Sequence, residues 1–171
     1  MPGRRRDAGF ALAELAIVIV VVAIAGLVFS KMFIEAVKSY TYIDVEKGLL
    51  QEARYAQERM SREFKRVRNN TSITAASATT FTFVDRDAAT VSLSWNGTKG
   101  ADLVYTKNGT ARTLASNVDS LAFAYLKANG ATATPVLSPS ATDIWRITTY
   151  LRLAKAGQTV TTSTGTFVRS L

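Results

Sequence analysis

Neither cysteine nor histidine occurs among the 171 residues. Without cysteine there are no disulfides and no thiolate metal sites. Without histidine the commonest general base and the commonest metal ligand are both missing. Proline is nearly as scarce, with 3 residues and none between Pro2 and Pro135, so no proline ring interrupts a helix over that interval. Acidic residues are outnumbered, 13 against 21 Lys and Arg, which leaves a formal charge of +8 and a pI of about 10.0. A basic balance suits nucleic acid or anionic lipid. Here Arg4, Arg5 and Arg6 account for three charges ahead of an apolar run, and the remainder is thinly spread. That distribution argues against a nucleic-acid protein. No P-loop, dinucleotide glycine motif, zinc spacing or EF-hand loop is present. Ser and Thr are abundant, but with no histidine to activate them they read as a solvated strand face. The expectation is a chain that is not an enzyme and has no cofactor or metal.

What is present is a long apolar run. Phe10 to Phe29 reads FALAELAIVIVVVAIAGLVF, twenty residues with one charge, Glu14. At ~1.5 Å per residue such a helix spans roughly 30 Å, the hydrocarbon thickness of a bilayer. The arginines in front would remain cytoplasmic, placing the bulk of the chain on the far side. A plain anchor, a secretory signal peptide cut after Ala23-Ile24-Ala25, and a buried core helix all compete for this run. Glu14 discriminates among them. A charge within a span costs about 2.5–3.5 kcal/mol or more, so it needs a partner, and a plain anchor has no use for one. A signal-peptide core would also end before Leu27, Val28 and Phe29.

Gly9-Phe10-Ala11-Leu12-Ala13-Glu14-Leu15, behind a short basic leader from Met1 to Gly9, resembles the prepilin cleavage motif of type IV pilins and type II secretion pseudopilins. The resemblance implies cleavage by a prepilin peptidase between Gly9 and Phe10, and N-methylation of Phe10. It also implies an assembly contact between Glu14 and the N-terminal amine of a neighbouring subunit. Ala11 and Ala13 depart from the usual hydroxyl and larger aliphatic residues. An ion pair of this kind offsets the cost of burying both charges and sets register. The competing role for Glu14 is pairing with its own N-terminus and helix dipole.

Beyond the span the apolar pattern becomes amphipathic. Ile34, Val37, Thr41, Val45, Leu49, Ala53, Ala56, Met60, Phe64 and Val67 recur at steps of three and four. Lys38, Arg54, Glu58, Arg62 and Arg66 lie largely off that face. The spacing predicts one helix from Phe10 to about Asn69, with Asn69-Asn70 as C-cap. After Asn70 the composition turns to Thr, Val, Ser and aromatics. Strands are expected at 80–84, 90–95, 103–107, 111–114, 118–127, 144–153 and 159–168. Asn96-Gly97, Asn108-Gly109 and Ala156-Gly157 supply turns, Leu121, Phe123 and Tyr125 share a face, and 131–142 reads as a loop.

The expected fold class is α+β, a long helix packed on an antiparallel β-meander, similar to pilins. The segments are a leader at 1–9, a transmembrane or filament-core helix at 10–31, an amphipathic helix at 32–70 and a β domain at 71–171. Ala56 to Glu63, the strands at 121–125 and 144–153, and Phe167-Val168-Arg169 most resemble a minor pseudopilin of the J type or a related type IV minor pilin. The lack of a cysteine pair differs from many major pilins. The family implies a single-pass protein of the bacterial inner membrane with an extracytoplasmic body. Its partners would be other pilin subunits, the prepilin peptidase and an assembly platform. The alternative is a bitopic anchor presenting a periplasmic binding module.

Two further clusters carry weaker chemistry. Asp85 and Asp87 would suit calcium, but Arg86 sits between them and calcium takes six or more oxygens. Lys65, Arg66 and Arg68, near Phe64, would suit DNA phosphates. They equally complement a helix C-terminus.

Overall fold

The computed structural model describes residues 7–133 and 144–168, with side chains from residue 12 onward. The chain divides into two compact units, Met1–Ile43 and Asp44–Leu171. Helix α1 runs from Asp7 to Phe64, 58 residues without a break. Its sequence explains its length: Ala, Leu, Glu, Lys and Arg favour the helix and no proline interrupts it. The periodic apolar face is buried only in part. Leu49, Ala53, Ala56, Met60 and Phe64 are almost fully buried, and Val45 packs at the margin. Ile34 and Val37 remain about half exposed and Thr41 is exposed.

The helix also stops earlier than the sequence pattern predicts. Lys65 N–H still bonds Ser61 O at 3.3 Å, but Arg66 N–H reaches Glu63 O at 2.9 Å and Val67 N–H reaches Phe64 O at 3.3 Å. This tightening to i→i+3 marks a final turn that unwinds. Val67 is then drawn into a β-bridge with Asp85. Asn69 does not cap α1. It caps the short 3-10 turn Asn70–Ser72 instead, its Oδ1 accepting the Ser72 N–H at 2.9 Å.

The rest of the second unit is an eight-stranded antiparallel sheet. Its strands are β1 (Ile73–Ala76), β2 (Thr80–Val84), β3 (Thr90–Ser94), β4 (Ala101–Lys107), β5 (Thr110–Leu126), β6 (Thr132–Ala133), β7 (Arg146–Lys155) and β8 (Gln158–Phe167). The order is β1-β2-β3-β4-β5-β7-β8, with β6 pairing off β5, so the α+β meander is present. Two hairpins close through two-residue turns. Lys107 pairs with Thr110 across Asn108 (φ 47) and Gly109 (φ 82), and Lys155 pairs with Gln158 across Ala156 (φ 50) and Gly157 (φ 80). Positive φ at both central residues is the turn whose twist matches the strands it joins.

The strands expected at 111–114 and 118–127 are one 17-residue strand, β5. Residues 110–118 pair with β4 and 118–126 with β7. The change of partner falls at an irregularity around Asn117, whose φ is 54. β1 and β6, unmarked in the sequence pattern, are short strands of four and two residues. Residues 134–143 of the expected loop, and Arg169, lie outside the described residues.

The sheet curls. Phe81 on β2 and Phe123 on β5 are three strands apart in the order, yet their ring centroids lie 6.5 Å apart. In a flat sheet that step is about 14 Å. Phe64 of α1 sits in the concavity, edge-on to Phe81 at 5.3 Å and to Phe123 at 6.1 Å. Leu121, Phe123 and Tyr125 share the inward face, as their alternation predicts.

Candidate functional site

Gly9 and Phe10 lie in the opening turns of α1. Arg4, Arg5 and Arg6 lie outside the described residues. From Leu12 the helix presents large apolar side chains on all sides: Leu12, Ile17, Val20, Leu27 and Phe29 are each more than half exposed. The helix contains an apolar window of mean hydropathy 2.9, none of it buried within the protein. By length and composition it is sufficient to cross a membrane. An apolar surface this continuous on a monomer marks contact with lipid or with other protein.

Glu14 is exposed and stands alone in this surface. Among the described residues nothing forms an ion pair or hydrogen bond with it. Four residues past Phe10, it lies on the same helix face one turn along. Gly9, Phe10 and Glu14 are therefore carried by a single helix.

In the second unit, a cluster of charged residues surrounds two buried carboxylates near the C-terminal end of α1. Glu63 accepts from Arg59 Nη2 at 2.9 Å and from Tyr105 Oη at 3.4 Å. The Arg59 guanidinium also lies 5.0 Å from the Tyr105 ring centroid. Asp85 is fully buried. Its Oδ1 accepts the N–H groups of Asp87 and Ala89, each at 2.9 Å. Its Oδ2 accepts from Arg66 Nη2 at 3.2 Å and Lys107 Nζ at 3.0 Å. Burial pushes the Asp85 carboxyl up. The N–H groups of Ala89 and Asp87 and the Lys107 ammonium outweigh that and hold it below the ordinary carboxylate range. Arg66 additionally reaches Asp87.

This geometry gives two of the charged clusters in the sequence structural partners. The Asp85 oxygens considered for calcium are occupied by four protein donors. Among the described residues no group of three or more acidic side chains is placed to hold a metal. Of the basic trio considered for phosphates, Arg66 is committed to Asp85 and Asp87, and all three follow the end of α1. A carboxylate with every lone pair engaged acts as a clamp, joining the β2–β3 turn to the end of α1 and to β4.

Sequence reasoning missed Gln57 and Glu63 as buried polar residues and Asp85 as a clamp. The one available signal was the run of charges at 58–68, which is too long for a helix that merely ends. Comparison with protein-family models and with curated proteins finds no match for this chain.

Proposed function

We propose that the chain is a minor pilin or pseudopilin, a structural subunit of a type II secretion pseudopilus or type IV pilus, with no catalytic role. A prepilin peptidase cuts between Gly9 and Phe10, and the new Phe10 amine is methylated and keeps its charge. The subunit waits in the inner membrane with its body on the outer side. An assembly platform then moves α1 from lipid into a filament core. The exchange is nearly neutral in hydrophobic energy, because lipid tails and packed helices are similarly apolar.

The observation that carries the reading is Glu14, a lone carboxylate in the exposed apolar surface of α1, placed one turn after Phe10. An isolated charge costs several kcal/mol in hydrocarbon, and a neighbour's N-terminal amine offsets that cost only after assembly. A plain anchor would be better off with an apolar residue there.

The test is complementation of a deletion strain by Glu14→Ala, with processing and membrane level measured alongside. The expected result is normal insertion and normal cleavage with secretion or piliation at the level of the deletion strain. Wild-type assembly from normally expressed Glu14→Ala would refute an essential role for the pairing.

A further inference from the structure

Among the described residues β8 is an outer strand of the sheet, pairing only with β7. Its register with β7 is unbroken over ten pairs, from Lys155↔Gln158 to Arg146↔Phe167. In a two-residue hairpin the pair flanking the turn is hydrogen-bonded, and bonded pairs alternate from there. Thr159, Thr161, Ser163, Gly165 and Phe167 therefore direct their N–H and C=O groups away from β7, to the open edge. Exposed edges are ordinarily blunted by shortness, bulges, proline or charge. β1, at the opposite edge, is four residues long and irregular. β8 has ten residues, QTVTTSTGTF, with no charge, no proline and no bulge.

A groove runs between this edge and α1. One part, about 540 Å³, is lined by Arg54, Gln57, Glu58, Arg62 and Lys65 of the helix side and by residues 162–164 of β8. A second part, about 550 Å³, shares Ser61 and Lys65 and continues to Arg86, Gly165 and Phe167. Arg54, Arg62, Lys65 and Arg86 have no ion-pair partner among the described residues. The neighbouring Arg59, Arg66, Lys107 and Arg152 all have one. Gln57 is 7% exposed, and its amide nitrogen is held by Thr162 at 3.2 Å, while its Oε1 has no donor. A buried acceptor of that kind is destabilising until something donates to it.

We infer that the β8 edge and its basic wall form a docking site for an extended acidic segment of another protein, added to the sheet as a further antiparallel or parallel strand. The alternating N–H and C=O groups match a polypeptide backbone. They do not suit a phosphate backbone, since the edge carbonyls repel it. The four unpaired cations select acidic side chains on the strand's helix-facing side. A second copy of this chain does not fit the site, because none of its strands carries more than one acidic residue. The inference is independent of how α1 is processed or assembled.

The test uses the full chain in detergent micelles and a labelled synthetic peptide alternating Glu and Val, followed by fluorescence anisotropy. Binding should weaken by about tenfold or more for Arg62→Glu, and likewise for a peptide of equal charge with alternate amides N-methylated. Amide exchange should slow at Thr159, Thr161, Ser163 and Gly165 on binding of the unmodified peptide. The methylation comparison leaves the protein unaltered, so it does not depend on a variant folding. Equal binding of the N-methylated peptide, tighter binding of a single-stranded oligonucleotide, or unchanged exchange at those amides would each overturn the inference.

Discussion

Replacing Asp85 by Ala removes four acceptor contacts at once, and their costs differ. The Ala89 N–H is buried and left without a partner, at about 1–3 kcal/mol. The Asp87 N–H is on an exposed residue, where water replaces the carboxylate. Arg66 and Lys107 have side chains 42% and 34% exposed, so their charges are largely re-solvated. Each of those pairs contributes at most about 1 kcal/mol. The total is about 1–5 kcal/mol, centred near 3, which for a body of this size lowers the melting temperature by roughly 10–15 °C at the centre. Asp85→Asn keeps an acceptor for both backbone N–H groups and loses only the charge pairs, so it should cost less than half as much. Urea unfolding of residues 44–171, followed by circular dichroism, measures both variants. A cost below about 1 kcal/mol for Asp85→Ala, or equal costs for Ala and Asn, would refute the clamp. The pH dependence has a definite sign. The folded carboxyl is held below its unfolded value, so its stabilisation is present above the ordinary carboxylate pKa of about 3.9 and is lost as pH falls through the folded value. Asp85→Asn should flatten that acid limb.

Two further perturbations probe the concave core. Phe64→Ala removes a ring packed against Phe81 and Phe123 and should cost about 3–5 kcal/mol, with Phe64→Leu well below that, by the same urea assay. Tyr125 donates its hydroxyl to Ser77 O at 2.6 Å. Burial raises its pKa, so the folded phenol stays protonated where the unfolded one ionises. Stability should therefore fall as pH rises past about 10. Tyr125→Phe should cost about 1 kcal/mol at neutral pH and weaken that alkaline loss, as read from melts across the pH range.

The parts of the fold legible in the sequence were those fixed by local chemistry. Asn108-Gly109 and Ala156-Gly157 announced two-residue turns because the left-handed backbone they need is available to few residue pairs. Leu121, Phe123 and Tyr125 announced a half-buried strand by alternation alone. What failed to show required partners distant in sequence. The segment after Phe64 has ordinary helix formers, Lys65, Arg66 and Arg68, and nothing local says that Val67 will leave the helix to bridge Asp85. Ala115 to Asn117 looked like a gap between strands, because the bulge that lets β5 change neighbours breaks the pattern. The role of Asp85 was not legible, since the arginine and lysine that occupy it come from positions 66 and 107. At the N-terminal end Gly9, Phe10 and Glu14 lie on one helix, as the unbroken apolar run with no proline suggested.

The identity and modification of the N-terminus test the filament reading most directly. Purified from cells that contain a prepilin peptidase, the protein should begin at Phe10 with a methyl group on its α-amine, as read by intact-mass and N-terminal peptide mass spectrometry. A mature chain beginning at Gly26, or one retaining Arg4, Arg5 and Arg6 in the presence of active peptidase, would contradict it.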